Sequence, residues 1–263
     1  MAEPATDSER PQVSTRDPEE LRRRLEAWVA TQFEAGADPV VPAVRTPERN
    51  GMSSETVLFD LEVTVEGSRT TTAYVARLAP EASAVPVFPT YDFDKQFRVM
   101  RLVAAETDVP VPDAPWFEPD PEPVGSPFFV MERIEGEVPP DVMPYNFGDS
   151  WIYEASHQDQ ARLQEASVGV LAELHSLDEQ RVDLSFLALD RPEPTAMRRH
   201  VGDQWDYYKW VSGDRPHPLL ERCFAWLDEH WPEDEGPAAL SWGDSRIGNT
   251  LYRDFTPVAV LDW

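Results

Sequence analysis

Leu240-Ser241-Trp242-Gly243-Asp244-Ser245-Arg246-Ile247-Gly248-Asn249, continued by Thr250-Leu251-Tyr252 and closed by Val258-Ala259-Val260-Leu261-Asp262-Trp263, is the stretch on which the reading of this 263-residue chain turns. It holds an Asp, an Asn five positions later, and a second Asp at the end of an apolar run. Ala239–Ser241, Thr250–Tyr252 and Val258–Leu261 read as three short strands flanking irregular loops. Taken alone, Asp-x4-Asn is an ordinary pair of turn or cap residues. Here the polar residues fall at the ends of apolar strands, where loops held by a rigid scaffold carry functional groups.

Upstream of that stretch the periodicity is helical. Leu163, Ser167, Val170, Leu171 and Leu174 share one face, and similar stripes run through Met197 to Tyr208 and Leu219 to Leu227. Nearer the N-terminus the pattern changes. Asp17 and Pro18 give an N-cap and first-turn signal, and Leu21, Leu25, Trp28, Val29 and Phe33 then recur at helical spacing to about Glu34. Between Pro39 and Ala79 the residues Val57, Phe59, Leu61, Val63 and Val65 alternate with polar ones. Gly67 and Ser68 mark a turn, and Ala73 to Leu78 form another strand, so two or three antiparallel strands are expected. Phe93 to Glu106 reads as a helix with Phe97, Met100, Val103 and Ala104 on one side. Val109 to Pro123 reads as a Pro-rich connector, and Phe128 to Met131 as a buried strand ending at Glu132 to Gly136. Residues 1–16 read as a disordered tail.

Transfer of a phosphoryl group needs little covalent help from protein. It needs a carboxylate to orient and accept the proton of the attacking hydroxyl, and oxygen ligands to hold Mg²⁺ on the nucleotide phosphates. A hard cation takes carboxylate, amide oxygen and water, and Asp-x4-Asn with a further Asp supplies the protein's share. The wider sequence resembles the aminoglycoside-phosphotransferase and choline-kinase-like family. The family pattern His-Gly-Asp-x4-Asn followed by Ile/Leu-Asp-Trp can be laid on Trp242 to Asn249 and Leu261 to Trp263.

The resemblance implies an α+β, bilobal protein-kinase-like fold: an antiparallel β-sheet with helices in the N-lobe (17–131), a hinge (132–137) and a mainly α C-lobe (138–263), truncated after the Asp-Trp element. It implies ATP and Mg²⁺ as cofactors and a small-molecule hydroxyl as acceptor. It assigns Asp244 as catalytic base and Asn249 and Asp262 as Mg²⁺ ligands. It assigns Gly51, Ser53 and Ser54 to the turn covering the nucleotide, Arg77 to phosphate, and backbone groups near Glu132 and Ile134 to adenine. Two positions depart from the pattern. Trp242 stands where His is usual, which bears on the support of Asp244, and Gln96 stands where a helix acid normally pairs with the phosphate-binding cation. An alternative reading is therefore a nucleotide-binding pseudokinase or scaffold without turnover.

Other residues have plainer readings. His175 suits a packed or capping position. Trp205, Tyr207, Tyr208 and Trp210 suit either core packing or one wall of an acceptor pocket. The remaining histidines show no zinc-ligand spacing, and neither Gly-x-Ser-x-Gly nor Gly-x-Gly-x-x-Gly occurs. Forty-nine acidic against 23 basic residues, a formal charge of −26, oppose binding to phosphate backbones, so nucleic acid is not an expected partner. The single Cys223, set among apolar residues, is expected to pack, in a reducing cytoplasmic setting. With no apolar h-region and no apolar stretch long enough to span a bilayer, no membrane partner is expected. The sequence leaves the oligomeric state open.

Overall fold

In the computed structural model, residues 16–47, 54–81, 85–140, 145–146 and 148–263 are described. The opening helix α1 (Pro18–Ala30) starts where Asp17 accepts from the Glu20 N–H, and it ends short of Glu34 because the Thr31 backbone and hydroxyl both close on the Trp28 carbonyl. Its apolar stripe, Leu21, Leu25, Trp28 and Val29, is buried. The stripe packs against one face of a five-stranded antiparallel sheet of order β1-β2-β3-β5-β4. The strands are β1 (Val44–Arg45), β2 (Glu55–Val65), β3 (Ser68–Leu78), β4 (Trp116–Glu118) and β5 (Phe128–Glu132).

Alternation in β2 is realised almost residue by residue. Val57, Phe59 and Leu61 are each 1% exposed and face α1, whereas Val65, at the hairpin end, is about half exposed. The β2–β3 turn places Glu66 and Gly67 at φ of 49° and 81°, the paired left-handed geometry that a two-residue hairpin demands and glycine supplies without strain. β5 is buried on both faces. Phe128 and Val130 point to α1, while Phe129 and Met131 meet α2 (Phe93–Glu106) through Phe93 and Met100. Full burial of such a side chain is worth about 1.5–3 kcal/mol, so β5 anchors both layers of this half.

The rest of the chain is mainly helical: α3 (Trp151–Glu154), α4 (His157–His175), α5 (Ala196–Ser212) and α6 (Pro218–Glu229), followed by the two-stranded antiparallel sheet β6 (Thr250–Arg253) and β7 (Thr256–Val260). A third core joins the halves. Val99 and Val103 of α2 meet Val170 and Leu174 of α4, together with Leu240, Trp242 and Val260. Among the described residues, no helix is long and apolar enough to cross a membrane.

Several expectations need correction. Ala239–Ser241 is not a strand; it lies extended against the end of α4, with the Leu240 N–H donating to the Leu177 carbonyl. The Pro-rich connector contains β4, paired Trp116 to Val130 at the sheet edge, where flanking prolines cost no ladder bonds. On α2 the buried stripe runs through Val99 in place of Ala104. Cys223 is exposed. The apolar face around it, with Leu219 64% exposed and Leu220 46%, is not buried in a core. Helices α5 and α6 instead pack on each other through Trp205, Tyr208 and Phe224, with Trp205 and Phe224 centroids 4.9 Å apart.

Candidate functional site

A short 3-10 turn, Ile247–Asn249, follows Asp244 and carries Asn249 back to it. The buried Asn249 side chain donates from Nδ2 to Asp244 Oδ2 at 2.8 Å and to the Asp244 carbonyl at 3.1 Å. Arg246 Nε reaches the same carboxylate oxygen at 3.1 Å. The Asn249 amide, helped by the Arg246 guanidinium and opposed only by slight burial, holds the Asp244 carboxyl below the usual carboxylate range. Asp244 is thus ionised, exposed and fixed in direction.

Asp262 is reached from the other strand of the hairpin. The Leu261 N–H donates to the Asn249 carbonyl at 2.9 Å, so the residue before Asp262 is tied to Asn249 itself. Asp262 adopts φ of 56°, a left-handed conformation that few non-glycine residues other than Asn and Asp take up. Its Oδ1 meets Arg77 Nη2 at 3.0 Å. Arg77, on β3, is also held by Nη1 donating to Thr56 Oγ1 of β2 at 3.1 Å. The expected helix acid is absent in fact as in sequence: Asp94 of α2 pairs with Arg98, and Glu106 offers its carbonyl to Arg181. Arg77 therefore takes its acidic partner from the far side of the cleft. Trp242, buried and 5.9 Å from the Trp263 ring, donates its indole N–H to the Asp262 carbonyl at 3.1 Å.

Arg77 of the sheet and Leu261, the residue before Asp262, both line a cavity of about 500 Å³. Leu58, Val75, Met131, Leu251 and Leu261 form its apolar walls, Arg77 stands in its lining, and Glu132 to Glu135 border it. Glu132 N–H donates to the Asp113 carbonyl and Arg133 N–H to the Ala73 carbonyl, and Arg133 pairs with Asp60 at 3.1 Å. The Arg133 amide thus anchors the segment after β5 to β3, and the Ile134 N–H has no hydrogen-bond partner among the described residues.

Ser54 is buried, with no hydrogen-bond partner for its Oγ among the described residues, two residues before Thr56 of the cavity lining. Gly51 and Ser53 lie outside the described residues. The apolar walls escaped sequence reading because their letters are those of any strand. The alternation in β2 does place Thr56 and Leu58 together on the face opposite the α1 core, and that was the available signal.

Among the described residues there is no cluster of three or more His, Cys, Asp or Glu side chains suited to a metal. The donor set Asn249 and Asp262 nevertheless fits Mg²⁺. With its Nδ2 engaged by Asp244, Asn249 has its side-chain Oδ1 left to offer, and Asp262 is a carboxylate. A cation that keeps waters and takes phosphate oxygens asks the protein for one or two such ligands.

A larger hollow of about 880 Å³ lies among α3, α4 and the 242–252 segment, walled largely by Ile152, Leu163, Val170 and Ile247. It borders Trp242 and Arg246 but not Arg77. Arg77 lines the smaller cavity, next to Leu261, the neighbour of Asp262; Asp244, Asn249 and Asp262 line neither hollow. Of the aromatic residues on α5, Trp205 and Tyr208 pack on α6, Tyr207 donates to the Val87 carbonyl, and Trp210 is partly exposed. His175 is exposed at the end of α4.

Residues 44–263 match the model of the phosphotransferase enzyme family, APH. Among solved structures, a Ralstonia eutropha protein provisionally assigned as an aminoglycoside phosphotransferase aligns at TM-score 0.59 and 23% identity, over 92% of this chain and 64% of that one. The ternary complex of APH(2")-IIa with streptomycin and ATP aligns at TM-score 0.53 and 14% identity, over 95% of this chain and 72% of that one. Acyl-CoA dehydrogenase family member 11 of Rattus norvegicus is 27% identical over 246 residues, and its Homo sapiens counterpart 26% over 192. This chain spans about a quarter of the length of those relatives, 28% and 23%. The antiparallel sheet with its helices, the helical second half and the family model covering most of the sequence agree, and the chain belongs to the APH phosphotransferase enzyme family with its protein-kinase-like fold.

Proposed function

We propose that this protein transfers the γ-phosphoryl group of ATP to a hydroxyl of a small molecule. The observation that carries the reading is the Asp244 carboxylate, fixed by Asn249, which is itself hydrogen-bonded to the residue beside Asp262. Asp244 accepts the proton of the acceptor hydroxyl as its oxygen bonds to phosphorus, and ADP leaves with the bridging oxygen and its electron pair. Arg77 turns from Asp262 to the phosphates, which it grips through a planar fork of donors. The Asn249 side-chain oxygen and the Asp262 carboxylate would hold Mg²⁺, which would neutralise charge on the phosphate oxygens. The adenine ring occupies the slot between Leu58, Val75 and Leu261, with the Ile134 N–H as donor. Ser54, with Gly51 and Ser53, covers the phosphates. On this reading residues 17–131 form the nucleotide lobe, 132–137 the hinge and 138–263 the catalytic lobe. A cytoplasmic location fits the single cysteine, which has no partner within the chain.

The acceptor is open to a short panel. Some solved neighbours are complexes with streptomycin or hygromycin B, while the curated relatives are named for acyl-CoA dehydrogenation. Hydroxyacyl compounds therefore belong on the panel with aminoglycosides, choline-like alcohols and sugars. The test is ADP release and mass-detected phosphorylated product with Mg²⁺ and ATP across that panel. Nucleotide affinity without turnover on any acceptor would favour the pseudokinase reading, to which Trp242 and Gln96 lend the sequence argument.

A further inference from the structure

We infer that Trp242 is a positioning residue: its indole N–H holds the backbone of Asp262 in the left-handed conformation that aims the Asp262 carboxylate across the cleft at Arg77. Three observations bear on this. Asp262 stands at φ of 56°, a left-handed conformation that is costlier than the right-handed one for an L-residue and that local contacts can hold. The Trp242 N–H donates to the carbonyl of that same residue at 3.1 Å. The indole itself cannot shift freely, because it is 7% exposed, lies beside the Trp263 ring and belongs to the core of Val170, Leu174, Leu240 and Val260.

An anchor held by a core fixes what it grips. Asp262 has a largely exposed side chain whose one ionic partner among the described residues is Arg77. Without the carbonyl bond it can relax to an ordinary backbone conformation and swing the carboxylate out of the cleft. Trp242 thus acts on Asp262 and not on Asp244, whose hydrogen-bond partners are Asn249 and Arg246.

The kinetic arm of the test rests on the phosphotransfer reading; the structural arm does not. Trp242→Phe keeps most of the ring and removes the N–H. Benzothienylalanine at position 242, with sulfur in place of the N–H, serves as an isosteric second variant should the Phe variant fold poorly. Loss of one buried hydrogen bond is expected to raise the Mg²⁺ concentration for half-maximal turnover about fivefold to tenfold, with the acceptor KM unchanged. In an Asp262→Ala background the same substitution should add nothing to the Mg²⁺ dependence of ADP binding, because the two residues act in one path. An unchanged Mg²⁺ requirement, or effects that multiply in the double variant, overturns the proposal.

Absence of turnover and of ADP binding in the unaltered protein would sink the phosphotransfer reading instead. The crystal structure of the Trp242→Phe variant then decides the positioning claim by itself. Asp262 leaving the left-handed region supports it, and Asp262 remaining there in contact with Arg77 overturns it.

Discussion

Asp244 is exposed, yet its carboxyl is held below the usual range by Asn249 and Arg246, which suits a base that must be ionised at neutral pH and reachable by an acceptor. Asp244→Asn should lower turnover by about 10²- to 10⁴-fold, the usual worth of a positioned acid or base, with ADP affinity little changed; turnover rates beside calorimetric titrations check both halves. The sign of the pH effect follows from the same contacts. A depressed carboxylate pKa is raised when a stabilising cation is removed, so Arg246→Gln should move the acid limb of the kcat/KM profile to higher pH, while activity above neutrality stays level. A limb that does not move would remove Asp244 from the role of base. Asp244, Asn249 and Asp262 stood out in the sequence as polar residues at the ends of apolar runs, their roles were what the family resemblance implies, and the structure brings Asn249 onto Asp244. The partner of Trp242 was not legible there, since an indole N–H has no preferred sequence separation from its acceptor, here 20 residues away.

Alternating burial carried β2 from sequence to structure, whereas β3 begins at Ser68, five residues before the expected Ala73, because the left-handed pair at Glu66 and Gly67 lets it pair along the whole of β2, from Val65 opposite Ser68 to Glu55 opposite Leu78. The edge strand β4 stayed hidden, because its prolines report local chemistry and its pairing is decided by β5. Gly136 shows a further constraint that composition conceals. A Cβ there would lie 3.0 Å from Leu251 Cβ and 3.1 Å from the Tyr252 carbonyl oxygen, where the 133–137 segment crosses the β6–β7 hairpin and Glu137 exchanges backbone hydrogen bonds with Tyr252. Gly136→Ala should therefore cost about 1–3 kcal/mol by overpacking, seen as a lower midpoint in urea. It should weaken ADP binding as well, because Leu251 and Glu135 line the same cavity.

Across the whole molecule, the Arg77–Asp262 pair ties the sheet to the β6–β7 hairpin over the cleft where the nucleotide is proposed to sit. A ligand bound only by the folded chain raises its stability by about 2.7 kcal/mol at a hundred times Kd. ADP with Mg²⁺ should accordingly raise Tm in wild type by several degrees, and by clearly less in Arg77→Met; equal shifts in both would take Arg77 out of the phosphate site. The amino-acid sequence by itself determined the local periods, the hairpin turn and the identity of the three oxygen-bearing residues, because these depend on neighbours a few positions apart. Only the tertiary structure decided that α5 and α6 leave Cys223 exposed, that Arg77 finds its acid on Asp262 and not on α2, and that Trp242 serves Asp262. Each of those outcomes rests on contacts between residues far apart in the chain, whose pairing is set by how the elements pack.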